Sequence, residues 1–251
     1  MERDSAEVLA DWIGNADTVV FFGGAGTSTE SGIPDFRSVG GLYESGQDEF
    51  PYPPEEMLSR DFFYRKPEIF YKFYRERMVY REAQPNDMHR LLADLERQGK
   101  LNAVITQNID GLHQKAGSRR VLEVHGSVLS NTCTECGAKY GLGTVMNSDG
   151  VPACKLCGGA IKPDVVLYGE MLDSNVLEAS VRAIEEADLM LVGGTSLTVQ
   201  PAASLVGMFT GGPLALLNRT PTPYDSRADL LITESMGAVA QRVRRLLGSG
   251  R

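Results

Sequence analysis

Several things are scarce in this chain, and each scarcity narrows what it can be. No uninterrupted apolar stretch approaches the roughly 20 residues that a membrane-spanning helix needs, so no membrane partner is expected. Residues 1–15 are charged and amphipathic and lack a signal-peptide core, so the chain reads as intracellular and cytoplasmic. Positive charge is in deficit, with 25 Lys+Arg against 33 Asp+Glu and a formal net charge of −8. That counts against direct nucleic-acid binding, which usually brings a basic face. Internal repeats and low-complexity segments are absent. What remains is ordinary: 42% hydrophobic and 23% charged residues over 251 positions, enough for a core without disulfides. The length suits one large domain or a main domain with a small satellite.

Cysteine is limited to four residues, and all four fall in two close pairs. Cys133-x-x-Cys136 and Cys154-x-x-Cys157 are separated by 17 residues, the spacing of a zinc ribbon with an intervening hairpin. A reducing compartment argues for metal over disulfides. Four thiolates leave no open coordination position, so the expected zinc is structural.

The apolar run 18–22 opens into Gly23-Gly24-Ala25-Gly26, the pattern of a strand buried on both faces and followed by a tight turn. Further buried strands are predicted at 103–106, 165–168, 189–192, 214–217 and 230–233. Helical periodicity occupies 88–97, 176–186, 201–208 and 239–247, and Ser5 is placed to cap a first helix over 7–13. Strands alternating with helices predict an α/β fold, a Rossmann-like, mostly parallel sheet with helices on both faces. Segments 1–35, 84–126 and 163–251 are assigned to that domain. A helical insertion at 36–83 and the cysteine-bearing module at 127–162 are expected to form a smaller domain.

The glycine turn is compatible with a dinucleotide site or with a simple tight turn. Glycine admits a pyrophosphate to free amides. The third glycine of the usual fingerprint is missing, with Thr29 in its place, and no acidic residue ends a second strand where a dehydrogenase would hold a ribose. Ser31-Gly32-Ile33-Pro34-Asp35-Phe36-Arg37 follows, bringing an acid, an aromatic and a guanidinium together. Beyond the second strand, Thr106-Gln107-Asn108-Ile109-Asp110-Gly111-Leu112-His113 falls where parallel sheets bind ligands, though a capped turn fits it equally.

Only three histidines are available for acid–base work. His89 lies in a helical pattern beside Arg90 and reads as solvated. His113 is a candidate to help cap the turn. His125 ends the alternating segment Val121-Leu122-Glu123-Val124, and Gly126 is expected to leave open space beside it. It is the candidate general base.

Taken in order, these segments resemble the sirtuin (Sir2-type) family over nearly the whole chain, in its prokaryotic form. The carriers are residues 24–37 and 106–113, His125-Gly126, the cysteine quartet, Lys162-Pro163-Asp164-Val165-Val166-Leu167-Tyr168-Gly169-Glu170, Gly194-Thr195-Ser196-Leu197-Thr198-Val199-Gln200-Pro201, and Leu217-Asn218. The resemblance implies an NAD-dependent protein lysine deacylase. In that family the acyl oxygen of a modified lysine attacks C1′ of the nicotinamide ribose, giving an alkylimidate and then nicotinamide, free lysine and 2′-O-acyl-ADP-ribose.

Carried over by position, the resemblance makes His125 the base, while Asn108 orients the ribose and a water. Ile109 and Asp110 would receive the carboxamide, and Phe36 would cover the reacting carbon. Ala25, Thr29 and Arg37 would surround the diphosphate and nicotinamide ribose. Thr195, Ser196 and Asn218 would hold the adenosine half, with Gly24, Gly26, Asp35, Gln107, Gly194 and Met236 completing the cofactor surface. An extended acyl-lysine peptide would add as a strand between Val165, Val166, Tyr168, Gly169 and Glu170 on one side and Val199 on the other. NAD would be consumed, and zinc would sit on Cys133, Cys136, Cys154 and Cys157.

Two departures from the family pattern are mild: Tyr168 for phenylalanine and Lys162 for arginine. A third concerns the acyl group. Members that remove acidic acyl groups carry Tyr-x-x-Arg where this chain has Tyr71-Lys72-Phe73-Tyr74, which favours acetyl and other neutral groups; a shifted register would instead pair Tyr74 with Arg77. Mono-ADP-ribosyl transfer, a zinc-ribbon binding module and a dehydrogenase are the competing readings.

Overall fold

In the computed structural model, which describes residues 3–36, 41–42 and 50–248, the run after Thr18 forms β1 (Val19–Gly23), buried throughout. Side chains alternate across a strand, so an all-apolar strand needs cover on both faces. Val19 and Phe21 pack beneath the helices Ser5–Asn15, Asp87–Arg97 and Met236–Gly248, against Leu9, Leu92, Val239 and their neighbours. Val20 and Phe22 face Ala183 and Ile184 of helix Ser174–Glu185 and Leu205 and Val206 of the short helix Ser204–Gly207.

β1 pairs in parallel with β2 (Leu101–Thr106) and β7 (Leu189–Gly193). With β3 (Val121–Glu123), β8 (Leu214–Leu217) and β9 (Leu230–Ile232) the order is 3-2-1-7-8-9, parallel throughout. The chain reverses its direction of growth between β1 and β7, and a crevice opens there beyond the strand ends.

Three expectations need correction. Asp4, not Ser5, caps the first helix, its carboxylate accepting from Ala6 N. Within 201–208 only Ser204–Gly207 is α-helical, and the amides of Ser204, Leu205, Val206 and Met208 bond three residues back, so the segment is wound tightly and the helix stays short. The run 165–168 does not join the parallel sheet. Val165 ends β6 (Ile161–Val165), which pairs antiparallel with β4 (Gly126–Cys133), while β5 (Lys139–Gly141) lies on the other side of β4. Val165 and Leu167 are buried, whereas Val166 is half-buried and Tyr168 exposed, so this segment has one covered face and not two.

Helices Pro54–Met57, Arg60–Arg65 and Pro67–Phe73 precede a π-helical turn, Tyr74–Met78. Pro54 and Pro67 begin two of them, where a missing N–H costs nothing. Phe62, Phe63, Phe70 and Phe73 share one core with Val128, Cys133, Val145, Cys154 and Ile161. The helices of 54–73 and the cysteine-bearing sheet therefore pack on one shared hydrophobic core, a third beside those on the two faces of the parallel sheet.

Candidate active site

Gly23 of β1 and Gly193 of β7 are register partners at the point where the strand order reverses. The turns that follow them touch. Gly24 N donates to Gly193 O at 3.1 Å and Gly26 N to Gly194 O at 2.8 Å. A Cβ on Gly26 would lie 2.7 Å from Gly194 Cα, and one on Gly24 2.8 Å from Thr195 Cβ. The closeness these glycines allow is thus first an approach of two turns, and their own amides are already engaged. Past the turn the backbone makes two 3-10 turns, Ala25–Thr27 and Thr29–Ser31, with Thr29 Oγ1 donating to Gly26 O. The Asp35 carbonyl accepts from Leu42 N, and half-buried Phe36 packs against the third core. Arg37 lies outside the described residues.

The cluster after β2 closes over this turn. Asn108, which is buried, donates from Nδ2 to Ser28 Oγ at 3.0 Å, and Ser28 Oγ donates to Asp110 Oδ2 at 2.6 Å. Asp110 Oδ1 accepts from Leu112 N, so this acid starts the helix Leu112–Ala116. Burial pushes the Asp110 carboxyl up, while the bonds from Ser28 and Leu112 pull it back. Gln107 Nε2 donates to Thr195 Oγ1 at 2.9 Å, joining the ends of β2 and β7. Ile109 is partly buried against the third core, and its carbonyl accepts from Val128 N.

His125 stands between β3 and β4. Its Nδ1 lies 3.1 Å from Gln107 O, and a carbonyl can only accept, so Nδ1 carries the proton and Nε2 is the basic nitrogen. Burial lowers its pKa, and the bond to Gln107 O opposes that shift. Gly126 does not leave open space: its φ is +75°, and a Cβ there would collide with the Asp164 carbonyl.

The other two histidines differ from expectation. His89 is fully buried, not solvated, and is part of the capping box with Asn86. Its ring centroid lies 4.6 Å from that of His113. His113 is also buried, and neither of its ring nitrogens has a hydrogen-bond partner among the described residues. It caps nothing; the Leu112 amide at the helix start is bonded by Asp110.

On the adenosine side of the expected site, Ser196 Oγ meets Thr198 Oγ1 at 2.8 Å, and Asn218 follows β8 with Nδ2 donating to Thr220 O. Met236 opens the last helix, its sulfur beside Gly193. Glu30 secures that helix to the glycine turn, accepting from Ser235 Oγ at 2.9 Å and Gly237 N at 3.1 Å. Ser28 and Glu30 were missed as individual positions. Their only sequence signal is polarity within the glycine turn.

The expected peptide segment is held on several sides. Val166 N donates to His125 O, Tyr168 N to Leu58 O, and Arg60 N to Tyr168 O. Tyr168 and Gly169 are exposed, Glu170 is half-buried, and across the crevice Val199 is half-buried. Tyr71 and Tyr74 are buried; the Tyr71 hydroxyl donates to Ile161 O, and that of Tyr74 has no partner among the described residues. Arg75 donates to Val145 O and Gly150 O.

The cysteine sulfurs all lie within 4.8 Å of one another, with Cys133–Cys157 at 3.5 Å and Cys136–Cys154 at 3.6 Å. A tetrahedral zinc with sulfurs at about 2.3 Å requires edges of about 3.8 Å, so the quartet fits one ion and no disulfide. The Tyr140 hydroxyl lies 3.1 Å from Cys154 Sγ and draws that thiol down to about 6, toward the thiolate a metal needs. β4 runs from Gly126 beside His125 to Cys133, a span of roughly 20 Å, so the metal belongs to the architecture of the third core.

Comparison with known proteins agrees with this geometry. The Sir2 family model matches residues 24–201. An NAD-dependent protein deacetylase of Clostridium acetobutylicum is 52% identical over 241 residues, covering 96% of this chain and 98% of its own. One of Cutibacterium acnes, with the same name, is 52% identical over the same shares. A Sir2 homologue solved as an NAD complex superposes with a TM-score of 0.88 at 38% identity, covering 99% of this chain and 95% of its own. A Sir2 protein solved with a deacetylated p53 peptide and 3′-O-acetyl ADP ribose gives 0.86 at 39%, covering 96% and 98%. With a family model across most of its length and relatives matched nearly end to end, this chain belongs to the Sir2 family.

Proposed function

We propose that this protein is an NAD-dependent protein lysine deacylase that acts on acyl-lysines in extended peptides. The observation that carries the reading is the tautomer of His125. With Nδ1–H committed to Gln107 O, Nε2 is left as the basic nitrogen, and the residue that follows Gln107, Asn108, is tied to Ser28 and through it to Asp110. Relatives at about half identity are named NAD-dependent protein deacetylases, and a related structure contains NAD.

Bound NAD would supply an electrophilic ribose carbon as nicotinamide leaves. His125 would take a proton from the ribose hydroxyls through Nε2. Asn108, fixed by Ser28, would orient the ribose and a water, and Asp110 and Ile109 would receive the carboxamide. Phe36 would shield the reacting carbon. Gly24, Ala25, Gly26, Thr29, Asp35, Arg37 and Gln107 would line the diphosphate and ribose. Gly194, Thr195, Ser196, Asn218 and Met236 would hold the adenosine half.

The peptide would lie between residues 165–170 and Val199; that a peptide is the substrate is supported by the related structure that contains one. The two units, divided as 1–35, 84–126 and 163–251 against 36–83 and 127–162, would meet at this cleft. A phenol at Tyr74 offers no cation to an acidic acyl group, which favours acetyl and other neutral groups. Cytoplasmic location belongs to the same reading. No described helix is long and apolar enough to cross a membrane.

The test is mass spectrometry of an acetyl-lysine peptide incubated with the protein, with and without NAD. Deacetylation only with NAD, together with acetyl-ADP-ribose, is expected. ADP-ribose attached to protein, with acetyl groups intact, would point to the transferase alternative.

A further inference from the structure

Lys162 and Glu170 stand at the two ends of the segment expected to receive the peptide, and both are largely withdrawn from solvent, at 16% and 21% side-chain exposure. An ammonium has three donors, and Lys162 Nζ has three acceptors around it: Pro163 O at 3.2 Å, Val165 O at 3.0 Å and Glu170 Oε2 at 3.0 Å. Glu170 Oε2 also accepts from Leu167 N at 2.9 Å, and Glu170 N donates to Leu167 O at 2.9 Å. Gly169, at φ +87°, closes this turn.

Every one of these bonds ends on the backbone of 163–170 or on the partner charge. The pair does not bridge distant elements, as a purely architectural ion pair would. It shapes a single loop, whose Val166 N is bonded to His125 O and whose Tyr168 is bridged to Ser59. An isolated ion in such a place is costly, and removing one partner strands the other.

We propose that Lys162 and Glu170 are positioning residues that hold segment 165–170 in the extended form onto which the substrate peptide adds. The inference rests on the deacylase reading, since it assigns this segment to the peptide. The latch touches the peptide side alone, so it acts on peptide affinity and leaves NAD affinity in place. A lysine fits the three convergent acceptors as a compact point charge, where the planar fork of an arginine would have to redistribute its bonds.

Lys162→Met and Glu170→Gln are to be compared with the native protein and with Lys162→Arg as the conservative variant. KM for an acetyl-lysine peptide should rise about tenfold in Lys162→Met, the scale of a lost charged hydrogen bond, with KM for NAD unchanged within about twofold. Lys162→Arg should recover most of the peptide affinity. Hydrogen exchange without substrate should show faster exchange at the Leu167 amide in Lys162→Met and Glu170→Gln. Unchanged peptide KM, an equal rise in both KM values, or an equally exchanging Leu167 amide in all variants would each overturn the latch. A native protein that deacetylates nothing would sink the deacylase reading, and the exchange comparison would then still decide whether the latch holds the loop.

Discussion

Val166 N donates a 2.9 Å hydrogen bond to the carbonyl of His125. The candidate base and the segment assigned to the peptide are thereby one bond apart, although 40 residues and the whole cysteine module lie between them in the chain. A shift of the segment would be felt at the backbone of His125, whose ring is in turn fixed by Gln107 O. Placement of base and peptide is one structural problem, with several consequences that can be measured.

Replacement of His125 by Ala should lower kcat by about two to four orders of magnitude, the range typical of a lost general base. The half-buried ring makes one hydrogen bond to the protein, so the melting temperature should move little. The native pH–rate profile supplies a sharper check. The base must be neutral, and burial lowers its pKa below the 6.5 of an ordinary histidine. Activity should therefore be flat near neutrality and fall only as the pH drops below that value. An acidic limb centred above about 7 would contradict the assignment.

Ser28→Ala should remove the hydroxyl that both accepts from Asn108 and donates to Asp110. Two buried polar groups would each lose a partner, at a cost of about 1–3 kcal/mol. The expected readout is a rise of roughly tenfold or more in KM for NAD, with peptide KM changed far less. Equal effects on both would show that Ser28 does not act at the cofactor.

The His89–His113 pair predicts acid sensitivity. Burial lowers His89 to about 4 and His113 well below its ordinary range. Between 6.5 and about 4 the unfolded chain binds protons that the folded one refuses, so stability is intact above 6.5 and declines as the pH falls. His89 alone accounts for a loss of about 3 kcal/mol across that interval. Chemical denaturation at several pH values should show this slope, and His89→Gln should reduce it, leaving the share of His113. An unchanged slope in the variant would exclude His89 as its source.

Cys154→Ser, or stripping the metal with a chelator, should disorganise the sheet β5-β4-β6 and the aromatic core packed on it. Cys133 and Cys154 are buried within that core, so loss of the ion removes cohesion where the helical insertion docks. One zinc per chain should be released, and the melting temperature should fall. A stable, active variant lacking zinc would refute a structural ion.

Much of the fold follows from short-range pattern. An unbroken apolar run of five residues such as 18–22, opening into glycines, fits a strand covered on both faces, and repetition of such runs between helical periods points to a parallel sheet. Two Cys-x-x-Cys pairs bring their own geometry, because each knuckle is local. His125 was legible as the one histidine at a strand end before a glycine. The resemblance of ordered motifs supplied the family.

Other features depend on partners far away in the chain. The run at 165–168 looks like its neighbours, yet only Val165 belongs to a sheet, antiparallel to Gly126, while Val166 and Tyr168 bond the distant backbones of His125, Leu58 and Arg60. His89 is a polar residue in a helix, a pattern that reads as solvent-facing, but the packing of Asp87–Arg97 over the sheet turns it inward against His113. Gly126 is needed because the Asp164 carbonyl passes beside it. Ser28 gains its place only when β1 and β2 lie side by side and bring Asn108 and Asp110 to it. Spacing along the chain determined the strands, the metal knuckles and the candidate base. Burial and long-range contacts, which arise only as the layers close, decided which polar groups meet.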